Sequence, residues 1–204
     1  MEKEKTVKKK KTLHVSTVRA LFLAFVLSIS AIVFTYCTCF GKNEAKIEAE
    51  AETDVFEHYE LNTLEGGSLA AKDLSAVSII AYNVWGTDCP PCIAEFPDLE
   101  ELSKSYAESE FRLIGIPLDV TDKGEKIIDE RLKEAKRIIK DSGVTFSNIV
   151  PDKKMDTFIH SMIAGTPTTF FTDSEGKILK VVTGSRKMEY YKEVTDELLK
   201  EVKQ

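Results

Sequence analysis

The sequence predicts an α/β domain in which helices flank a central mixed β-sheet. Two observations support this prediction. Apolar runs typical of buried strands alternate with segments whose apolar residues recur at helical spacing. The order of these elements is β-α-β-α and then β-β-α, so strands of both directions are expected to share one sheet.

The first half of the domain is predicted to begin with an N-terminal β-hairpin and to continue through a buried strand into a long helix. Gly66 and Gly67 mark the turn of the hairpin. In the helix, the apolar residues Phe96, Leu99 and Leu102 repeat at helical spacing. The predicted ranges are 56–64 and 68–74 for the hairpin, 76–84 for the buried strand, and 92 to about 108 for the helix.

The second half is predicted to contain a helical insert, a second hairpin and a closing helix. Apolar residues at helical spacing predict the insert helix over 123–142, which Gly143 ends. Residues 173–177 combine Asp, Ser and Gly in a hairpin turn signal. The remaining predicted elements are extended segments at 111–118, 145–150, 168–172 and 178–183, a helical turn within 152–163 and an amphipathic helix at 188–202.

The charge of the chain is unevenly distributed. Residues 1–19 carry +5, whereas the whole chain carries −6, so the remainder carries −11. An acidic domain argues against a nucleic-acid partner, because phosphate binding requires clustered Lys and Arg. Residues 20–40 contain no charge and are long enough to span a bilayer, with the basic n-region at 1–19 retained in the cytoplasm.

Residues 20–40 are therefore expected to be either a signal peptide or an uncleaved anchor. Lipid attachment at Cys37 or Cys39 is a third alternative, although neither cysteine follows the residues usual at bacterial lipoprotein sites. Residues 41–54 alternate Glu and Ala and are predicted to be a polar tether, so the globular domain is expected at 55–204. Each alternative places this domain on the extracytoplasmic side, and an uncleaved anchor would hold it at the cell membrane.

Two cysteines separated by two residues mark the candidate site. Cys89 and Cys92 lie between the buried strand and the first helix, so Cys89 is expected at the helix N-terminus. The partial positive charge there favours a thiolate over a thiol. A purely structural disulfide is a weaker interpretation, because so short a loop restricts the unfolded chain little.

The motifs around these cysteines resemble the thioredoxin fold and, more closely, the TlpA/ResA branch of membrane-tethered thiol–disulfide oxidoreductases. The residues that carry the resemblance are Trp85-Gly86-Thr87 before the cysteines, Glu95-Phe96-Pro97 after them, the later Gly165-Thr166-Pro167-Thr168, and the insert at 123–142. The resemblance covers residues 56–204 and implies a redox-active Cys89–Cys92 disulfide. It implies no cofactor and no metal ion.

The resemblance also implies a role for each residue of the cysteine pair. Cys89 would be the exposed nucleophile that attacks a substrate disulfide, and Cys92 the partly buried thiol that resolves the mixed disulfide. Glu95 would assist proton transfer beneath the dithiol, where burial raises a carboxyl pKa. The position at which thioredoxins have a buried Asp is Asn83 here, and Asn cannot ionise.

A second group of residues is expected to bind the substrate. Pro167 should follow a cis peptide bond beside the dithiol, and the backbone of Thr166 should pair with an extended substrate chain. Trp85 is expected to pack in the core or at the rim near the site, and it is counted among the candidate substrate-binding residues.

Asp88 and two prolines depart from the pattern of the branch. A carboxylate at Asp88 disfavours a neighbouring thiolate, and Pro90 and Pro91 lack the N–H groups that could stabilise one. Both features should raise the pKa of Cys89 and make the dithiol more reducing, although the helix N-terminus acts in the opposite direction. The predicted activity is therefore reduction of disulfides in oxidised partner proteins. The resemblance implies partners such as apocytochrome c and a membrane protein as the electron donor.

Two alternatives share this fold. A peroxiredoxin-like peroxidase would need Thr or Ser three residues before its cysteine, where this chain has Gly86. An extracytoplasmic copper chaperone could bind Cu(I) through the two thiolates, whereas tetrahedral zinc would require four ligands.

Overall fold

The computed structural model of the protein describes residues 55–203. The segments expected at 1–19, 20–40 and 41–54 lie outside the described residues. The elements are β1 (Glu60–Asn62), β2 (Ser68–Ala70), β3 (Ile79–Trp85), α1 (Pro90–Lys104), β4 (Phe111–Pro117), β5 (Thr121–Asp122), β6 (Lys126–Ile127), α2 (Asp129–Ser142), α3 (Lys153–Met162), β7 (Thr168–Thr172), β8 (Ile178–Thr183) and α4 (Met188–Val202).

A four-stranded sheet with the order β4-β3-β7-β8 forms the centre of the structure. Strand β3 pairs in parallel with β4 and antiparallel with β7, and β7 pairs antiparallel with β8. The expected mixed sheet is therefore confirmed. Every residue of β3 is buried, which is typical of a central strand with both faces covered.

Alternate residues of β3 point into two separate apolar cores. Ile79, Ala81 and Trp85 belong to the core that also contains residues of α1, α2 and α4. Ile80 and Tyr82 belong to the second core, together with residues of α3 and the segment before β1. This alternation follows from the two-residue period of a strand, and it fixes which helices lie on each face.

The first predicted strand is shorter than expected. Only Glu60–Asn62 of the range 56–64 forms a strand, and residues 55–57 are helical. Phe56 is buried because its ring stacks on Tyr82, with 4.3 Å between the ring centroids. Its apolar character therefore reflects packing against the sheet and not membership of a strand.

The insert is also organised differently from the prediction. A helix over 123–142 is wrong for its first part, where β5 and β6 form a small antiparallel hairpin. The turn between them needs left-handed backbone at Lys123 and Gly124, with φ of 51° and 70°. Helix α2 begins only at Asp129 and ends at Gly143, as the glycine predicted.

The range 68–74 forms a strand only at Ser68–Ala70 and continues as a 3₁₀ helix at Ala71–Leu74, and the range 145–150 makes only isolated bridges at Asn148 and Ile149. The remaining predicted elements are present with small changes in their bounds. The hairpin of β7 and β8 turns at residues 173–177 as expected, and α1 begins two residues earlier and ends earlier than predicted. Within the range 55–203, the helices are too short or too polar to cross a membrane.

Candidate active site

The two cysteines form a disulfide at the start of helix α1. Cys89 is the N-cap residue of that helix, and its Cα atom lies 5.3 Å from that of Cys92. The two side chains differ in accessibility: Cys89 is 9% exposed, whereas Cys92 is completely buried. Of the two sulfurs, only that of Cys89 belongs to a residue with access to solvent.

The backbone of the first helical turn has no N–H group left to stabilise a Cys89 thiolate. Pro90 and Pro91 occupy the first two helical positions and carry no N–H. The next two N–H groups, of Cys92 and Ile93, both donate to the Cys89 carbonyl oxygen at 3.0 and 3.2 Å. What remains at this end of the helix is its dipole.

Glu95 lies one turn after Cys92 and is 1% exposed. Its Oε1 accepts a hydrogen bond from Asn83 Nδ2 at 3.0 Å. Its Oε2 accepts from the Tyr191 hydroxyl at 3.1 Å and from the Arg186 backbone N–H at 3.3 Å. Burial raises the pKa of Glu95 above its usual 4.5, and these donors offset part of that rise. Such a carboxyl can exchange a proton closer to neutral pH than an exposed glutamate.

The Thr166–Pro167 peptide bond is cis, as the resemblance implied. Val84 of β3 pairs with Thr168 of β7. Pro167, which precedes Thr168, therefore lies next to the end of β3 that leads to the dithiol. Pro167 is buried and Thr166 is half-buried. The β3–β7 pairing therefore brings the start of β7 and the CxxC segment to the same end of the sheet.

Trp85 does not reach the surface of the site. Its side chain is completely buried, packs edge-on against Phe96, and donates from Nε1 to Asn148 Oδ1 at 3.0 Å. The structure places Trp85 in the core, which is one of the two positions predicted for it, and an indole held in the core presents no face to a partner. Trp85 instead packs in the core, between the end of β3 and helix α1.

Sequence reasoning missed the polar residues that surround the segment before Cys89. Asp119 accepts the Thr87 backbone N–H with both oxygens, at 3.1 and 3.0 Å, and the Thr87 hydroxyl at 2.5 Å. Arg131 of α2 pairs with Asp88 at 2.5 Å and donates to the Thr87 hydroxyl oxygen at 2.8 Å. No local pattern could reveal these contacts, because Asp119 follows β4 and Arg131 lies in the insert, both far from Cys89 in sequence.

Tyr191 was missed for a different reason. It belongs to the predicted helix 188–202, where an aromatic residue on the apolar stripe indicates only core packing. The structure shows that this core position also places a hydroxyl on Glu95, and burial together with the Glu95 charge raises the pKa of Tyr191.

Comparison with known proteins identifies the family. The AhpC/TSA family matches residues 53–181, which is more than half of the chain. The chain belongs to the AhpC/TSA family.

Curated relatives give a closer likeness within this family. The thiol-disulfide oxidoreductase ResA of Bacillus cereus is 28% identical over 186 residues, covering 90% of this chain and 96% of the relative. ResA of Geobacillus thermodenitrificans is 29% identical over 188 residues, covering 92% and 96%. The chain is therefore a ResA-like protein of the thioredoxin superfamily, and its disulfide agrees with the thiol–disulfide oxidoreductase chemistry that these names state.

Solved structures support the fold. The thioredoxin-family thiol:disulfide interchange protein of Chlorobium tepidum has a TM-score of 0.57 at 23% identity, covering 70% of this chain and 94% of that one. StoA of Bacillus subtilis has a TM-score of 0.53 at 22% identity, covering 67% and 95%. The thioredoxin-like α/β architecture is thus confirmed by comparison as well as by topology.

The described residues offer no alternative centre for a metal ion. Between residues 55 and 203, no three His, Cys, Asp or Glu side chains are grouped to hold one. Cys89 and Cys92 are joined as a disulfide in the described domain.

Proposed function

We propose that this protein is an extracytoplasmic thiol–disulfide oxidoreductase that reduces disulfides in partner proteins. The observation that carries the proposal is the Cys89–Cys92 disulfide at the tip of α1, with one accessible and one buried cysteine. This asymmetry suits two successive exchanges, in which one sulfur meets the partner and the other acts only within the protein.

The reaction begins with the reduced dithiol. The Cys89 thiolate attacks one sulfur of the partner disulfide, so a mixed disulfide forms and the other partner sulfur leaves as a thiolate. Cys92 then loses its proton and attacks the Cys89 sulfur, which releases the second partner sulfur. The partner gains two electrons, and Cys89 and Cys92 are left as a disulfide.

Glu95 is the residue proposed to accept the Cys92 proton. It lies on the same helix one turn away, it is buried, and its pKa is raised towards the range useful for proton transfer. Thr166 is proposed to pair through its backbone with an extended segment of the partner, since Pro167 immediately precedes β7 at the dithiol end of the sheet.

The direction of electron flow follows from how poorly the helix start solvates a thiolate. Pro90 and Pro91 remove two donors, and the Cys89 carbonyl takes the next two. A less stable thiolate makes the reduced form less favourable, so the dithiol gives up its electrons more readily. This supports a protein that donates electrons to its partners.

The proposed location rests on the apolar segment at 20–40. An anchor there would hold the domain at the outer face of the cell membrane, where its partners would be oxidised extracytoplasmic proteins. Apocytochrome c is proposed as one such partner because the resemblance to the membrane-tethered TlpA/ResA oxidoreductases implies it. A membrane protein that delivers electrons from the cytosol would restore the dithiol.

Trapping of the mixed disulfide tests the proposal. Cys92→Ala removes the resolving thiol, so partners should remain covalently attached to Cys89 and be released by dithiothreitol. Cys89→Ala is the matched control and should trap nothing. Rapid turnover of hydroperoxides by Cys89, with no trapped partner protein, would instead support the peroxidase alternative.

A further inference from the structure

The guanidinium of Arg131 lies against the two residues that precede Cys89. It pairs with Asp88 Oδ2 at 2.5 Å and lies 3.7 Å from Asp119 Oδ2. It also donates to Thr87 Oγ1 at 2.8 Å, and that hydroxyl donates in turn to Asp119. One cation therefore bridges two carboxylates beside the nucleophilic cysteine.

The charges in this cluster do not cancel. Asp88 and Asp119 contribute two negative charges and Arg131 one positive charge, so the net charge next to Cys89 is −1. Without Arg131 it would be −2, and without the Asp88 charge it would be zero. A more negative cluster disfavours a thiolate, and a neutral one favours it.

The insert brings Arg131 to this position. Arg131 lies in the first turn of α2, and the short β5–β6 hairpin returns the chain to the start of that helix. The Ile128 N–H bonds to the Val120 carbonyl at 2.9 Å, which holds the base of the hairpin closed. A side chain more than 40 residues from Cys89 in sequence is thereby held at the redox loop.

We propose that Arg131 is a positioning residue that controls the ionisation of Cys89 by holding and neutralising Asp88. The proposal rests on the exchange activity proposed above and adds a regulator of its nucleophile. Arg131 contacts neither sulfur and acts through Asp88 and Thr87. Asp88 alone would disfavour the Cys89 thiolate, and the positive charge of Arg131 offsets most of this effect.

Other titratable groups on the surrounding elements stay constant in the test. These are Glu95 on α1, Tyr191 on α4 and Arg186 before α4, whose guanidinium donates to the Ser185 carbonyl and lies over the Tyr190 ring. Because none of them contacts Asp88 or Arg131 in the structure, they form a common background for substitutions at those positions.

Charge substitutions measured on Cys89 itself test the proposal. The full-length protein, reduced and carrying Cys92→Ser, is treated with iodoacetamide across pH 5 to 10, and mass spectrometry follows alkylation of the Cys89 peptide. This readout separates Cys89 from Cys37 and Cys39. The variants are Arg131→Gln, Asp88→Asn and the two combined.

The two single substitutions should act in opposite directions. Arg131→Gln should raise the Cys89 pKa by about half a unit, and Asp88→Asn should lower it by about as much, because the groups are exposed and screened. Half a unit changes the thiolate fraction at pH 7 by about threefold. The double variant keeps the wild-type net charge and should return close to the wild-type pKa.

Arg112→Gln is the matched control. Arg112 lies on β4 and pairs with Glu108, and neither residue is among the partners of Arg131, so the Cys89 pKa should not change. If both single substitutions move the pKa in the same direction, or if the double variant fails to restore it, the proposal is overturned. A protein that does not cycle between dithiol and disulfide with dithiothreitol and oxidised glutathione would instead contradict the proposed function.

Discussion

At the scale of single residues, Glu95 joins three parts of the chain through one carboxyl. Asn83 of β3 donates to one oxygen, while Tyr191 of α4 and the Arg186 N–H donate to the other. These bonds fix the orientation of the carboxyl one helical turn after Cys92, while burial keeps its pKa raised. Several hydrogen bonds thus hold a carboxyl group in an apolar environment, which is typical of proton-transfer groups.

Replacement of Glu95 by Gln should slow the second exchange step. Gln keeps the shape and cannot accept the Cys92 proton, so resolution of the mixed disulfide at pH 7 should fall by about 10- to 100-fold. In the wild type, the rate of resolution should increase as the pH rises through the raised Glu95 pKa. This increase should be absent from the pH–rate profile of the variant. Stopped-flow kinetics with a model disulfide peptide measures both effects, and Glu101→Gln on the exposed side of α1 is the control.

The same substitution makes a prediction about stability. Because the Glu95 pKa is higher in the folded state than its usual 4.5, the folded protein binds this proton more tightly than the unfolded chain. The wild type should therefore lose stability relative to Glu95→Gln as the pH rises from below 4.5 through the raised pKa. Guanidinium unfolding of both proteins at pH 4 and pH 7.5 measures this change, and a difference that is the same at both values would contradict it.

At the scale of elements, the first turn of α1 determines how the nucleophile is solvated. A proline at the first helical position is common, because its missing N–H would be unpaired there in any case. A second proline, Pro91, extends the loss to a position where an N–H could face the Cys89 sulfur. The two prolines therefore favour the start of the helix, and the helix dipole is the main stabilisation that remains for the Cys89 thiolate.

Pro91→Ala should lower the Cys89 pKa. The substitution restores one backbone N–H near the sulfur, and a donor to an anion stabilises it, by up to about one pKa unit. The residue-resolved alkylation profile of Cys89 against pH measures the shift. Pro97→Ala is the matched control, because it restores an N–H two turns further along the same helix, and an equal shift in both variants would contradict the explanation.

Element prediction from sequence succeeded where the apolar period matched the environment of the segment. The strands 168–172 and 178–183 have the predicted bounds, since their turn signal is local and strong. The prediction failed at the start of the insert. Ile127 and Ile128 fit a helical period, but their side chains are 47% and 39% exposed at the end of the β5–β6 hairpin. The backbone of Lys123 and Gly124 decides that turn, and periodicity does not detect it.

At the scale of the whole molecule, the sheet order assembles the site from segments far apart in sequence. The dithiol follows β3, the cis proline precedes β7, Arg131 lies on the insert and Tyr191 on the last helix. The cysteines, Glu95 and Pro167 could be predicted because their motifs are short and local. Their partners Tyr191, Asp119 and Arg131 could not, because only tertiary contacts bring them together.

The folded domain should be more stable as the disulfide than as the dithiol. The bridge closes too short a loop to restrict the unfolded chain much, so the difference arises mainly in the native state. In the native state, the proline-capped helix disfavours the Cys89 thiolate. Folding and oxidation are linked in one thermodynamic cycle, so a protein that readily donates electrons must be more stable in its oxidised form. Guanidinium unfolding with and without dithiothreitol should therefore give a lower midpoint for the reduced protein.

The control for this comparison is the double variant Cys89→Ser with Cys92→Ser, whose midpoint should not respond to dithiothreitol. A reduced protein more stable than the oxidised one would contradict the electron-donor proposal, since that order belongs to strongly oxidising enzymes. The measurement is thus independent of any particular partner protein.

The complete burial of Cys92 also limits how many partners one molecule can hold. If the domain exchanges disulfides with partner proteins as proposed, a partner cannot reach that sulfur directly, so each domain has a single point of covalent attachment at any moment. Such a domain could not crosslink two client proteins through its two thiols, and each client would have to be released before the next one is bound.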